Sequence, residues 1–502
     1  MSPNHQIDRS MLKQVLIFVH RWLGVVLCLL FLLWFPSGFV MMYWDYPGIT
    51  AADRLAHLAS IDPATIRISV EDAAAKAEIE APGSVRLTTF AGRPIYRFGG
   101  RGDSAVVFAD TGEEQIEITQ NDVAKIAQTW SGQSVKAARV DAVERADQWT
   151  LQQRVGDLQP LWKFSWPDGQ QLYVSEAVGE VVQYTTRASR TAAYFGAIPH
   201  WLYFTPLRRN GPTWSKVVIW SSSIAACAAL LGLIVAVWMY SPSKRYRYDG
   251  APTSIPYRGW KRWHMIVGLI VGVGAVTWAL SGMLSMEPFP QRDDSGDEAR
   301  RTQRVLQSLR GRAPLEKFTS KDARAALAQL RGLRVKELEW VSIAGEPAYF
   351  ATIRPGDTRI IPVDGNPVAT LDAKALVEIV GDALKSVAPA QVSVLSSYDR
   401  YYLDRHHNAP LPVVLVQLND TAHSRYYVDP KSARVVGGYS ASNFVDRWLY
   451  HGLHSMNFPW LYNYRPAWDI VVIAFMIGGT ALSVTSLVLA WQVLGRKLRL
   501  IQ

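Results

Sequence analysis

Residues 20–38 are HRWLGVVLCLLFLLWFPSG, and residues 264–282 are HMIVGLIVGVGAVTWALSG. In both stretches a histidine precedes an apolar run. Glycine follows four residues after the histidine, tryptophan fourteen, and Ser-Gly seventeen and eighteen. An apolar run of about 18 residues or more is typical of a helix that crosses a membrane. We therefore predict two equivalent membrane helices, with His20 and His264 in corresponding positions.

The composition indicates a membrane protein with large polar parts. The 502 residues are 49% hydrophobic, yet the mean hydropathy is close to zero, so the apolar residues must be concentrated in a few segments. Four runs are long enough to span a bilayer. The predicted order is a cytoplasmic N-terminus with the first membrane helix (1–43), a first periplasmic domain (44–213), a second membrane helix (214–240), a basic cytoplasmic loop (241–262), a third membrane helix (263–287), a second periplasmic domain (288–465), and a fourth membrane helix with a cytoplasmic tail (466–502).

The net charge of +10 does not indicate a nucleic-acid partner, because the basic residues are concentrated at the ends of the apolar runs. The loop 241–262 holds six lysines and arginines against one aspartate. By the positive-inside rule, this loop and both termini are predicted to be cytoplasmic. The positive charge therefore indicates how the protein is oriented in a lipid bilayer.

The two halves of the chain are predicted to be parallel repeats. With the termini on one side, the first and third membrane helices run in the same direction, and so do the second and fourth. Trp214–Ile219 (WSKVVI) aligns with Trp468–Ile473 (WDIVVI) at an offset of 254 residues, and the same offset places His200 on His454. Each repeat thus contains two histidines in equivalent positions.

Each region between membrane helices is predicted to hold a short helix followed by strands. Ser69 is a predicted N-cap, and Val85–Thr89, Pro94–Phe98 and Ala105–Phe108 have the composition of strands. The region from Val335 to Val363 repeats this order. We predict two α+β modules, each with one helix over a small antiparallel sheet.

Three motifs resemble a known family. The strand RPIYRF (Arg93–Phe98) before a D-x-G turn is similar to the PepSY module. HRWLG (His20–Gly24) and LHSMNFPWL (Leu453–Leu461) resemble the PepSY-associated transmembrane (PepSY-TM) family. The expected fold is an α-helical membrane protein with α+β extracytoplasmic modules: a four-helix transmembrane bundle from two parallel repeats, each carrying a PepSY-like domain. Members include bacterial inner-membrane siderophore-iron reductases with haem b in the bundle, so the resemblance implies that location and cofactor.

The repeated histidines are candidate haem ligands. A histidine in an apolar helix is costly to bury without a partner. A hydrogen-bonded core histidine is the simplest interpretation of one such residue, but repetition favours haem ligation, because imidazole is a standard axial ligand. His20 lies about 27–33 Å from the far end of its helix, too far to share an iron with His200. We predict two haems, one bound by His20 and His264 near the cytoplasmic face, and one by His200 and His454 near the periplasmic face.

His451 competes with His454 for the second haem. The two residues lie three positions apart, on one face of a helix, so the sequence leaves open which of them is the ligand. The other histidine would orient the ligand, bind substrate iron or hold a further haem.

Four more residues are predicted to contact the cofactors. Arg21 and Arg262 lie beside the first pair, where they suit haem propionates; ordinary membrane-edge charges are the alternative. Trp34 and Trp278 are predicted to pack against haem, although tryptophan also gathers at bilayer interfaces. The Ser-Gly pairs that follow them are predicted to let helices approach closely.

The resemblance implies electron transfer across the inner membrane to a periplasmic ferric siderophore or another ferric chelate, with release of Fe(II). The sequence shows no nucleotide-binding motif, so the electron donor is expected to be a cytoplasmic reductase, a small carrier or a membrane quinol. Two alternatives remain open: a haem relay to a periplasmic redox protein, and a haem-free transport or regulatory protein with structural histidines.

Overall fold

The computed structural model describes residues 3–499 except 100–104, 116, 153–154, 156–157, 290–296, 386, 388–389 and 405–406. The chain divides into two compact units. A helical unit comprises Met1–Pro47, Arg187–Gln291 and Phe444–Gln502, and an α+β unit comprises Gly48–Thr186 and Arg292–Asn443.

The helices of both units, in chain order, are α1 (Pro3–Met41), α2 (Ala51–His57), α3 (Val70–Lys76), α4 (Gln120–Ser131), α5 (Arg187–Phe195), α6 (Ala197–Trp201), α7 (Thr205–Arg208), α8 (Gly211–Met239), α9 (Gly259–Leu284), α10 (Asp297–Ser308), α11 (Ala323–Ala328), α12 (Ala373–Leu384), α13 (Pro459–Tyr462) and α14 (Ala467–Arg499). A π-helix spans Val445–Gly452. Single 3₁₀ turns occur at Pro63–Thr65, Val135–Ala137, Leu315–Phe318 and Ala441–Asn443.

The strands are β1 (Ser84–Phe90), β2 (Arg93–Gly99), β3 (Ala105–Phe108), β4 (Arg139–Val143), β5 (Leu161–Ser165), β6 (Gln171–Ser175), β7 (Glu180–Thr185), β8 (Tyr246–Tyr248), β9 (Ala251–Thr253), β10 (Arg310–Gly311), β11 (Glu337–Ile343), β12 (Glu346–Arg354), β13 (Asp357–Pro362), β14 (Ala390–Leu395), β15 (Val413–Leu418), β16 (Arg425–Asp429) and β17 (Arg434–Tyr439). Every named pair of neighbouring strands is antiparallel.

Four helices in the described part of the chain are long and apolar enough to cross a membrane. They are Met11–Met41 within α1, Gly211–Met239, Gly259–Leu284, and Ala467–Arg496 within α14. A helix suits this role because it satisfies its backbone hydrogen bonds internally, where lipid offers no partner. The predicted membrane protein with α-helical spans and antiparallel α+β regions is confirmed at this level.

The four long helices pack together as a bundle. α1 and α9 each pack along both α8 and α14, so α1 and α9 occupy opposite corners. Small residues line one contact, where Ala225 and Ala228 of α8 are buried together with Leu27 and Ala279. Small side chains let helix backbones approach closely without a hydrophobic driving force from water.

The α+β unit is built around a seven-stranded sheet. Its strand order is β13-β12-β11-β1-β2-β3, and β10 also pairs with β11. At the centre, β1 and β11 are neighbours, with Arg86 opposite Glu339. The two stretches of chain that the sequence assigns to separate modules therefore contribute to one sheet. Helices α3 and α11 cover its main apolar face, and the predicted cap Ser69 accepts a hydrogen bond from the backbone N–H of Asp72 at 3.0 Å.

Two four-stranded sheets complete this unit. The strands β4–β7 form one and β14–β17 form the other, each in chain order. Helix α4 packs on the first sheet, and α10 and α12 pack on the second. A β-bulge lies at Tyr173/Val174 in one and at Tyr427/Val428 in the other. These are positions that the 254-residue offset superposes.

A buried carboxylate lies on β11. The Glu337 side chain is 5% exposed and accepts hydrogen bonds from both Nη atoms of Arg54, at 2.5 and 3.0 Å, and from Nη1 of Arg86 at 3.0 Å. Burial alone would raise the pKa of Glu337, but the Arg54 hydrogen bonds and the nearby Arg86 charge outweigh burial and hold the pKa below its ordinary value.

Glu337→Gln is expected to destabilise the protein at neutral pH by about 1–2 kcal/mol, because two partly hydrated arginines lose their charge partner. A carboxylate with a depressed folded pKa stabilises the protein above its unfolded pKa, near 4.3. This stability is lost as the pH falls through the lower folded pKa. The difference in thermal midpoint between the wild type and the variant should therefore shrink below about pH 4.

Melting curves recorded from pH 7 to pH 3 check this prediction. Glu113→Gln is the matched control, because the Glu113 side chain is 72% exposed and its ion pair with Arg93 is long, at 3.9 Å. A wild-type-to-E337Q difference that stays constant with pH would contradict the assignment.

Candidate functional site

His20 on α1 and His264 on α9 face each other across the helical unit. Their ring centres are 6.3 Å apart, and the ring planes differ by 33°. Nδ1 of His20 donates to the carbonyl oxygen of Ala228 at 3.0 Å. Nδ1 of His264 lies 3.0 Å from the hydroxyl of Thr485. That hydroxyl donates its own proton to the Leu482 carbonyl, so it accepts from the imidazole.

His200 on α6 and His454, which follows the π-helix, form a second pair. Their ring centres are 5.9 Å apart, with planes at 70°. Nδ1 of His200 lies 3.1 Å from Ser37 Oγ and 3.2 Å from the Trp34 carbonyl oxygen. Nδ1 of His454 lies 3.0 Å from Ser281 Oγ. Both serines donate to backbone carbonyls of their own helices, so both accept from the histidines.

All four imidazoles thus carry their proton on Nδ1 and keep a lone pair on Nε2. No hydrogen bond to any of the four Nε2 atoms is found in the described part of the chain. The side chains of His200 and His454 are both partly exposed. Burial lowers the pKa of each, which keeps them as neutral imidazoles. A neutral imidazole held through Nδ1–H is the form that binds a metal through Nε2.

The two pairs fit the axial positions of haem iron. Two imidazoles on opposite sides of one metal, each bonded at about 2 Å, have ring centres about 6 Å apart. The observed separations are 6.3 and 5.9 Å. Two imidazoles occupy only two of the coordination positions of an iron ion. The nitrogens of a porphyrin would fill the others. The helix backbones make room for the rings: a Cβ on Gly232 would lie 2.4 Å from Cε1 of His20, and one on Gly38 would lie 3.3 Å from Cε1 of His200.

An apolar groove of about 1150 Å³ follows α14. Thr485, the hydrogen-bond partner of His264, lies at one end, and Met476 lies toward the other. A Cβ on Gly38 would meet Met476 and the ring of His200, so Met476 lies beside the second pair. The groove reaches Thr485, which bonds to His264, but none of the four paired histidines lines it.

The pairs are well separated along α1. Ser37, which holds His200, lies 17 residues after His20, which corresponds to about 25 Å of helix. Phe35, Trp278 and Phe475 form a contiguous aromatic cluster in this interval, with ring centres 5.7 and 6.0 Å apart. The arrangement therefore suits two separate metal centres, with the aromatic cluster beside the second of them.

His451 lies apart from the paired rings. Its side chain is 45% exposed, and its Nε2 is 3.7 Å from a carboxylate oxygen of Asp446. Its ring contacts Tyr450, whose ring also contacts His454, at centre distances of 4.7 and 5.6 Å. The structure brings His454, and not His451, to His200.

The predicted arginines lie away from the paired imidazoles. Arg21 is exposed and lies over the rings of Phe18 and Trp22. Arg262 donates from Nη1 to the hydroxyl of Thr253 at 3.1 Å. Their role at haem propionates stays a prediction.

The two predicted tryptophans lie near the second pair. Trp34 presents its backbone carbonyl to His200. Trp278 is 8% exposed and packs against Phe35 and Phe475. Its indole N–H is buried without an acceptor in the described part of the chain.

Sequence reasoning assigned the Ser-Gly pairs to helix packing alone and missed the side chains that hold the histidines. Ser37 and Ser281 accept from His200 and His454, and Thr485 accepts from His264. The signal for the serines was available, because the hydroxyl recurs at the same position of both repeated stretches. No such repetition in the sequence indicated a role for Thr485.

A comparison with curated proteins finds no match. The family model described as the PepSY-associated TM region matches residues 17–337, more than half of the chain. The match includes three of the four paired histidines and confirms the resemblance to PepSY-TM proteins. With its four candidate spans, this is a multi-pass membrane protein, and it belongs to the PepSY-associated TM family.

Proposed function

We propose that this protein is a di-haem oxidoreductase of the bacterial inner membrane that passes electrons to a ferric siderophore or another ferric chelate in the periplasm. The observation that carries the proposal is the pair of facing imidazoles at each of two sites. All four are held through Nδ1, and their ring separations of 6.3 and 5.9 Å suit bis-imidazole ligation. Family membership supports the proposal at a coarser level.

The residues of the chain would hold and tune the cofactors. His20 and His264 would be the axial ligands of one haem, and His200 and His454 those of the other. The Ala228 carbonyl and the Thr485, Ser37 and Ser281 hydroxyls fix the tautomers and increase the basicity of the ligating nitrogens. Haem, when bound, supplies one-electron redox chemistry at its iron.

The proposed topology places the termini and the loop 241–262 in the cytoplasm. In that orientation the two halves are parallel repeats. The His20–His264 pair then lies near the cytoplasmic face, where it would hold a haem within reach of a reductase, a carrier or a membrane quinol as electron donor. The His200–His454 pair lies near the periplasmic face. The aromatic cluster around Trp278 lies beside the His200–His454 pair.

The proposed reaction moves one electron per turnover to chelated Fe(III) and gives Fe(II), while the chelator is unchanged. Hard oxygen ligands bind Fe(II) less strongly than Fe(III), so the metal is released. In this scheme the protein sets the separation of the two centres and the ligands of each.

The test begins with a reduced-minus-oxidised visible spectrum of protein purified from haem-replete cells, with two haems expected per chain. The reduced protein is then mixed with a ferric hydroxamate chelate, and haem oxidation is followed by stopped flow. The matching gallium chelate is the control, because Ga(III) has the same charge but accepts no electron under these conditions. Oxidation by the ferric chelate alone supports the proposal.

Other outcomes favour the alternatives. Protein without haem bands would favour a haem-free transport or regulatory role. Haem that is oxidised by a periplasmic redox protein but not by ferric chelates would favour a relay.

A further inference from the structure

The α+β unit contains a cleft of about 240 Å³ between α2, α4 and the central strands. Its charged lining consists of three arginines and two glutamates: Arg54, Arg86, Arg97, Glu180 and Glu337. These charges leave one net positive charge. Such an excess in an enclosed space favours a bound anion, because a low-dielectric site strengthens the attraction.

Arg97 has the weakest partners of the three arginines in the cleft. Arg54 and Arg86 both bond to Glu337. The Arg97 side chain is only 18% exposed, yet its closest acceptors in the described part of the chain are the Val178 carbonyl at 3.5 Å and a Glu180 oxygen at 3.6 Å. Good hydrogen bonds to arginine are about 2.7–3.2 Å long. The guanidinium is thus enclosed but weakly bonded, and this burial lowers its pKa.

The Trp130 side chain also lines the cleft. The indole Nε1–H of Trp130 is buried without an acceptor in the described part of the chain. The indole ring is fixed by stacking on His57, with ring centres 4.0 Å apart and planes at 11°. His57 is itself held, because its Nδ1 donates to the Asp53 carbonyl at 2.8 Å. The Nε1 atom itself has almost no accessible surface, so Trp130 contributes its ring to the wall of the cleft and offers no donor to a ligand.

The remaining lining is apolar, with Phe90, Ile126 and Val181 forming part of the wall. The volume corresponds to roughly eight water molecules at about 30 Å³ each. A ligand that uses all these features has an anionic group with two acceptor oxygens and a small apolar body. Inorganic phosphate supplies the charge but has no apolar body.

We propose that this cleft binds a small organic acid, with its carboxylate held by Arg97 and its apolar body against Phe90. The site is formed by the α+β unit alone and does not depend on the haem proposal.

The test uses the purified full-length protein and benzoate as the probe. Isothermal titration should show saturable binding, and benzoate should raise the thermal midpoint, since a ligand of the folded state stabilises it. Arg97→Gln should weaken benzoate binding about 10-fold to 100-fold. Arg93→Gln is the matched control: Arg93 is on the same strand but bonds to Asp110 at 2.8 Å.

The thermal midpoint without ligand separates a binding role from a structural one. R97Q should melt no lower than the wild type, because Arg97 makes no short hydrogen bond in the free protein, yet it should lose the benzoate-induced rise. Failure of benzoate to saturate the wild type would overturn the proposal. So would equal binding by R97Q and R93Q, or binding of benzamide or inorganic phosphate as tight as that of benzoate.

Discussion

His454→Ala should purify with one haem per chain instead of two, whereas His451→Ala should retain both. The His454 ring faces His200, and its Nε2 atom has no hydrogen-bond partner in the described part of the chain. The His451 side chain is instead half exposed and lies near Asp446. If haem is bound as proposed, loss of the His454 imidazole would remove one of the two bonds between the protein and the iron.

The haem-to-protein ratio, measured from the spectrum of the extracted haem, checks this prediction. His20→Ala should also lose one haem. The haem that remains in H20A and the haem that remains in H454A should have different spectra, because they would occupy different sites. The prediction is wrong if H451A loses a haem or if H454A keeps two.

Gly479→Ala is expected to cause the largest loss of stability among the glycines of the long helices. A Cβ at this position of α14 would lie 2.2 Å from two ring atoms of Phe35 on α1. The Phe35 ring is buried and packs against Trp278 at a centre distance of 5.7 Å, so it has little freedom to move. Overpacking of this kind costs about 1–3 kcal/mol or more.

Thermal unfolding in detergent measures the effect. Gly495→Ala is the matched control on the same helix, because a Cβ there meets nothing within 4 Å. Adding Phe35→Leu to G479A should restore most of the lost midpoint, since the smaller side chain vacates the space. Equal midpoints for G479A and G495A would contradict the packing described at Phe35.

Local elements of the fold were predictable because their causes are local. The long helices follow from uninterrupted apolar runs, and the cap at Ser69 follows from its hydroxyl before an acidic first turn. The strands predicted at Val85–Thr89 and Pro94–Phe98 correspond to β1 and β2. The pairing of β1 with β11 was not predictable. It joins residues about 250 positions apart, and alternation within a strand does not identify its neighbour.

The candidate site was predictable only where it repeats in the sequence. The duplicated stretch identified His20 and His264, and the 254-residue offset identified His200 and His454. The sequence could not show whether His451 or His454 faces His200, because a π-helix precedes His454. Each hydrogen-bonded turn of a π-helix contains one more residue than a turn of an α-helix, so α-helical spacing does not give the direction of these side chains. Thr485 could not be found because it meets His264 only after two distant helices pack.

The central position of β1 also has a consequence for biogenesis. During synthesis at about 5–20 residues per second, β11 emerges roughly 10 to 50 seconds after β1, since about 250 residues separate them. Throughout that interval one edge of β1 has no strand beside it, and an unpaired edge invites pairing with other chains. The first half of the protein thus exposes an open sheet edge until the second half arrives, and the pairing of β1 with β11 closes that edge.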